Sequence, residues 1–215
     1  MSIILIYYLI VFVVLFLCFW KIYLAGNNDT VKSKSFVNEN SLNTGDLLFV
    51  RYNNSLGYFM RFWSGSPWTH MAMVYRKGSD LYVMETANYR NQKGVLFLPF
   101  GKWQKLNSKC DISVMKLTTP ENFNKDIVLK SFEKLTDRKL DTFGVSWLRL
   151  LQTEKYRKLK DKQNITCYEL IIHLLQESGV SKKELSASSY FPSDVIQGKL
   201  SLEKDFEYSR LKSLA

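Results

Sequence analysis

The stretch "NITCYELIIHLLQESG", residues 164–179, sets Cys167 between a helix cap and an apolar helical run. Thr166 and Glu169 have the spacing of a capping box, with Thr166 as cap and Glu169 three residues on, which puts Cys167 on the first turn. There the unpaired amides and the positive end of the helix dipole favour a thiolate, the form of cysteine that attacks a carbonyl. The same amides can stabilise the oxyanion that such an attack creates. The pattern equally suits a small buried residue, the ordinary role of a free cysteine.

A nucleophilic thiol needs a base, and the chain holds only His70 and His173. His173 is six residues along the same helix, turned about 240° from Cys167 and out of reach. His70 stands where the loop "SGSPW" gives way to an apolar strand, a rigid frame for a functional side chain, although a histidine there also serves as a surface or structural residue. A third group should orient the imidazole and hold its tautomer. Glu85 is the candidate: it is the carboxylate within the expected strand "LYVMET", where it continues the row of Leu81 and Val83. A charge at a strand end that reaches solvent is the plainer account.

These residues need a scaffold, and the pattern indicates an α+β fold. The runs 46–52, 69–76, 81–86, 94–100 and 110–117 are short, rich in aliphatic, aromatic and β-branched residues, and separated by turn formers. They predict an antiparallel sheet or partial barrel of about five strands, with "RKGSD" as a hairpin turn. Beyond them, "TPENFNKDIVLKSFEKL" predicts a helix capped by Thr119, with Pro120 at its first position and Phe123, Ile127, Phe132 and Leu135 near one face. The cysteine helix should end at Gly179.

The first 22 residues carry a different signal. Ile3 to Trp20 is an uncharged, mostly apolar run of eighteen residues, which as a helix nearly crosses a hydrocarbon core of roughly 30 Å. It predicts a transmembrane anchor over 1–22, a polar tether over 23–44 and a catalytic domain over 45–215. No Lys or Arg precedes the run, which argues against a cleaved signal peptide. Lys21, Lys32 and Lys34 follow it, so the expected arrangement is a single-pass protein with the domain facing the cytoplasm. Three cysteines, Cys18 among them inside the apolar run, leave Cys110 and Cys167 as the sole possible pair and give no oxidised framework.

The formal net charge of +10 lies wholly within residues 21–215 and suits an anionic membrane surface. Residues 149–163 hold its densest cluster, six Lys or Arg against Glu154 and Asp161. Nucleic acid is disfavoured as a partner, since no zinc-ligand spacing, RNA-binding signature or basic dimerising helix is present. Nothing in the pattern calls for a cofactor or metal. The richness in Asn, Lys and Ile suits a viral or microbial origin.

Taken in order, several blocks resemble the circularly permuted members of the NlpC-type papain-like cysteine hydrolases, particularly the YiiX-like group, with the lecithin retinol acyltransferase group as a more distant relative. "GDLLFVR" resembles the family's first strand, "SPWTHMAMVY" its histidine strand, "LYVMETA" its glutamate strand and "GVLFLPFGKW" the strand and turn after it. "NITCYELIIHLLQESGV" resembles its cysteine helix and "SYFPSDVIQG" its closing segment, so the likeness covers most of residues 45–198. The resemblance implies a permuted papain-like site with His70 as base, Glu85 as its orienting partner and Cys167 as nucleophile. The implied activity is cleavage of an amide or ester bond in a peptide, amide or acyl-lipid substrate. Lipid acyl transfer and a non-catalytic membrane-binding scaffold remain the alternatives.

Overall fold

The computed structural model describes residues 7–8, 10–16, 38–54, 57–58, 60–61, 66–140, 164–184, 187, 190 and 192–213. Its centre is an antiparallel sheet built from β1 (Leu47–Arg51), β2 (His70–Lys77), β3 (Asp80–Tyr89), β4 (Gln92–Pro99) and β5 (Asp111–Met115). The two-residue β6 (Lys212–Ser213) adds a sixth strand, in the order β6-β5-β1-β2-β3-β4. The expected hairpin forms, with Gly78 in the left-handed conformation at its turn and Lys77 paired with Asp80.

β2 reads "HMAMVY" without polar alternation because both of its faces are covered. Met71, Met73 and Tyr75 join the core beneath α3 (Cys167–Glu177), together with Met84, Leu170, Ile171 and Leu174. Ala72 and Val74 face the opposite core, closed by Leu42, Leu48, Val83 and the helix α1 (Phe100–Leu106) through Phe100 and Trp103. Each fully buried Leu, Ile or Met in these layers stabilises the fold by about 1.5–3 kcal/mol relative to exposure. That burial fixes α3 against the sheet.

α2 (Lys125–Glu133) begins later than the Thr119–Pro120 signal indicates. Pro120 instead accepts a bond from the Phe123 amide in a turn, and Asn124 caps the helix by accepting from the Asp126 amide. This shift turns Val128 and Phe132 into the core and leaves Ile127 exposed. α3 ends as expected, with Gly179 at φ 72° and the Val180 amide reaching back to the Leu175 carbonyl.

The expectation of a membrane anchor is overturned. Among the described residues no helix is long and apolar enough to cross a membrane. Residues 7–8 and 10–16 are helical and exposed. The transmembrane part of the expected fold, the single-pass localisation and the cytoplasm-facing orientation therefore lack support; the rest of the 1–22 run lies outside the described residues. Residues 23–37 of the expected tether and the basic cluster at 149–163 also lie outside them. Packing is already established at Leu42, which is fully buried, and at Thr44, whose hydroxyl accepts from the Arg76 amide.

Candidate active site

Two local events bring the site together. The first is a split in the sheet. β2 and β3 are paired from Lys77↔Asp80 to Met73↔Met84, where their register stops. Beyond that point β2 stays with β1 as far as Val50↔His70, while β3 stays with β4 from Glu85↔Leu96 to Tyr89↔Gln92. The two strand ends diverge, and the side chains of His70 and Glu85 meet across the gap with Nε2 2.7 Å from Oε2.

The second event is the start of α3. The Thr166 hydroxyl accepts from the Glu169 amide and the Glu169 carboxylate accepts from the Thr166 amide at 3.0 Å, completing the capping box expected from the sequence. Cys167 is the first helical residue. Its half-buried sulfur meets His70 in a side-chain hydrogen bond and accepts the backbone amides of Met71 and Tyr168. Since Glu85 takes Nε2, Nδ1 is the ring nitrogen left for the sulfur. His70 therefore stands between the thiol and the carboxylate.

Magnitudes identify what activates the thiol. Burial opposes the thiolate, and a helix terminus contributes at most about 2 kcal/mol in its favour, or roughly one and a half pH units. The balance falls to His70: its charge and hydrogen bond, with the two amides, outweigh burial and hold Cys167 below the ordinary thiol range. Burial likewise opposes the imidazolium, but Tyr52 and Cys167, with the hydrogen bonds His70 donates to Cys167 and Glu85, raise His70 well above its ordinary value. Both shifts favour the thiolate–imidazolium form of the pair.

Glu85 is fully buried, and the site saturates it with donors. Oε2 accepts the Trp103 indole N–H at 2.9 Å in addition to His70, and Oε1 accepts the Tyr89 hydroxyl at 2.8 Å. Asn107, at the end of α1, donates from Nδ2 to the Tyr89 oxygen at 2.9 Å and to the Trp103 carbonyl at 3.0 Å. Sequence reasoning missed Trp103, Tyr89 and Asn107. The usable signal was spacing: Tyr89 follows Glu85 by four on one strand face, and Asn107 follows Trp103 by four on one helix face.

Tyr52 was missed as well. Its ring lies 5.9 Å from the His70 ring, and its hydroxyl is pushed up to about 12, first by burial, against His70 and with Glu85 and Cys167. Thr69 anchors this corner by accepting the Tyr52 amide and donating to the Val50 carbonyl, both at 3.0 Å. Gly57 approaches so closely that a Cβ there would stand 2.1 Å from the Tyr52 carbonyl oxygen.

His173 stays apart from this cluster. Burial lowers its pKa, Glu177 opposes, and Arg138, Lys183 and Lys134 add to the lowering. Cys110 and Cys167 are both free, and burial with Asp111 pushes the Cys110 thiol up to about 11. Among the described residues no group of three or more His, Cys, Asp or Glu side chains could hold a metal ion.

No protein-family model and no curated protein matches the chain. Among solved structures it is similar to the metalloprotein yiiX from Escherichia coli O157:H7, with 14% identity and a TM-score of 0.49 over 79% of this chain and 97% of that one.

Proposed function

We propose that the protein is a thiol hydrolase that cleaves an amide or ester bond through an acyl-enzyme. The observation carrying this reading is the His70 ring held between the Cys167 sulfur and the Glu85 carboxylate. The Cys167 thiolate attacks the carbonyl carbon, and the oxyanion is stabilised by amides at the start of α3. His70 then gives its Nδ1 proton to the leaving amine or alcohol as the carbonyl re-forms into a thioester. Water, deprotonated by the now neutral imidazole, attacks the thioester and releases the acid and the thiolate. Glu85 keeps the Nε2 proton in place throughout and so holds the ring orientation.

The test is a comparison of wild type with Cys167→Ser and His70→Ala, using limiting iodoacetamide at neutral pH and a set of chromogenic acyl esters and anilides. Faster alkylation of Cys167 than of a free thiol, lost in His70→Ala, and ester or anilide turnover lost in both variants are the expected results. A Cys167 that alkylates like a free thiol, regardless of His70, would overturn the proposal.

A further inference from the structure

The buried carboxylate and its neighbours form a square of two i,i+4 pairs: Glu85 and Tyr89 on β3, Trp103 on α1 and Asn107 at its C-cap. Its proton directions follow from one backbone carbonyl. The Trp103 carbonyl can only accept, so the Asn107 amide must present Nδ2 to it; the flipped amide would set two acceptors against each other. With that orientation fixed, the second Nδ2 hydrogen points at the Tyr89 oxygen. Tyr89 is thereby occupied as an acceptor and must give its own proton to Glu85 Oε1. The indole N–H, which can only donate, fills Oε2 beside His70. Glu85 thus receives from every neighbour.

Keeping this arrangement has a cost. Asn107 is fully buried, and its Oδ1 has no hydrogen-bond partner. A buried acceptor left unmade costs on the order of one broken hydrogen bond. Its orientation follows from the donors that the Trp103 carbonyl and Tyr89 require.

We propose that Trp103, Tyr89 and Asn107 are positioning residues that impose a one-way chain of hydrogen bonds, Asn107 to Tyr89 to Glu85, and thereby keep the Nε2 proton on His70. If Tyr89 ceases to donate, the carboxylate draws that proton toward itself, the ring carries less positive charge, and the Cys167 thiolate loses its partner. The inference rests on the thiol-hydrolase reading, but its readout is the thiol itself and needs no substrate.

The experiment measures the rate of Cys167 alkylation by iodoacetamide against pH in the full chain, for wild type, Tyr89→Phe, Asn107→Asp, Trp103→Phe and His70→Gln. Tyr89→Phe deletes the donor to Oε1. Asn107→Asp offers Tyr89 an acceptor and turns its proton away from Glu85. Both should move the midpoint of the profile upward by about one pH unit, the effect of losing a single hydrogen bond to a charged group. Trp103→Phe should move it in the same direction and supplies a second reading should Asn107→Asp fail to fold. A solely structural role would lower the melting temperature and leave the midpoint where it is. Folded Tyr89→Phe and Trp103→Phe proteins whose profiles superimpose on wild type, while His70→Gln shifts, would overturn the chain and leave the cysteine–histidine pair standing; an unshifted His70→Gln would remove the pair itself.

Discussion

His70 and Glu85 meet at 2.7 Å in a place where their strands have stopped pairing. In a continued ladder the space between β2 and β3 would be filled by backbone hydrogen bonds, and the N-terminus of α3 could not bring a sulfur to the edge of β2. The divergence after Met73↔Met84 makes room, and the backbone of Met71, freed from β3, donates to Cys167. The end of β2 that β3 leaves thus helps to stabilise the thiolate.

Removing the imidazole should separate chemistry from folding. His70→Gln is expected to lower ester or anilide turnover by about 10²–10⁴-fold, the ordinary contribution of a positioned acid–base group. Circular dichroism should show the sheet intact, since Val50↔His70 pairing is made by backbone atoms. Turnover that persists within a few-fold of wild type would exclude His70 as the base.

The pH dependence follows from the two shifts. Cys167 is lowered and His70 is raised, so the productive pair exists from the thiol's depressed value up to the imidazole's elevated one. Alkylation should therefore rise through a midpoint below the ordinary thiol range, and hydrolysis should fall only at alkaline pH, where His70 loses its proton. The raised imidazole pKa also contributes stability that is fully present below the unfolded histidine value and disappears as pH rises through the folded one. Denaturant midpoints of wild type and His70→Gln should accordingly converge toward alkaline pH. A gap that widens with pH instead would reverse the sign assigned to His70.

Thr166→Ala tests the start of α3. It removes both the acceptor for the Glu169 amide and the hydroxyl donor to Glu169 Oε2, at a cost of about 1 kcal/mol. For a domain of this size that is a fall of roughly 2–4 °C in melting temperature. Because Cys167 is the next residue, alkylation at neutral pH should slow as well. An unchanged melting temperature would mean that packing of Leu170, Ile171 and Leu174 alone holds the helix end.

Glu85→Gln places an amide where Oε1 and Oε2 together accept three donors. One amide N–H₂ then faces a donor in a fully buried site, with an expected destabilisation of about 1–3 kcal/mol. Chemical denaturation measures the loss, and the alkylation midpoint should rise together with it. Stability within a few tenths of a kcal/mol of wild type would show that the carboxylate charge is not what its neighbours are arranged for.

Gly57→Ala probes the corner around Tyr52. Its Cβ would meet backbone, the Tyr52 carbonyl oxygen, so the clash cannot be relieved by a side-chain rotation. The expected result is a lowered melting temperature and a slower His70-dependent alkylation of Cys167, because the Tyr52 ring lies against the imidazole. Alkylation and melting indistinguishable from wild type would mean that this corner moves freely and does not support His70.

The sequence by itself determined which residues lie on each element: the capping box that begins α3 at Cys167, the hairpin at Gly78, and the row Leu81, Val83, Glu85 on one face of β3. These are local matters, set by side-chain spacing and by which residues tolerate a cap or a left-handed turn. The anchor expected from the apolar run at 3–20 rested on composition, which reports hydrophobicity alone; among the described residues no helix is long and apolar enough to cross a membrane. Only the tertiary structure decided that β2 and β3 part after Met73↔Met84, that α1 returns with Trp103 and Asn107 to cover Glu85, and that Cys167 arrives beside His70 from nearly a hundred residues away. Those meetings depend on how two cores pack on opposite faces of one sheet, and no periodicity along the chain encodes a distance between faces.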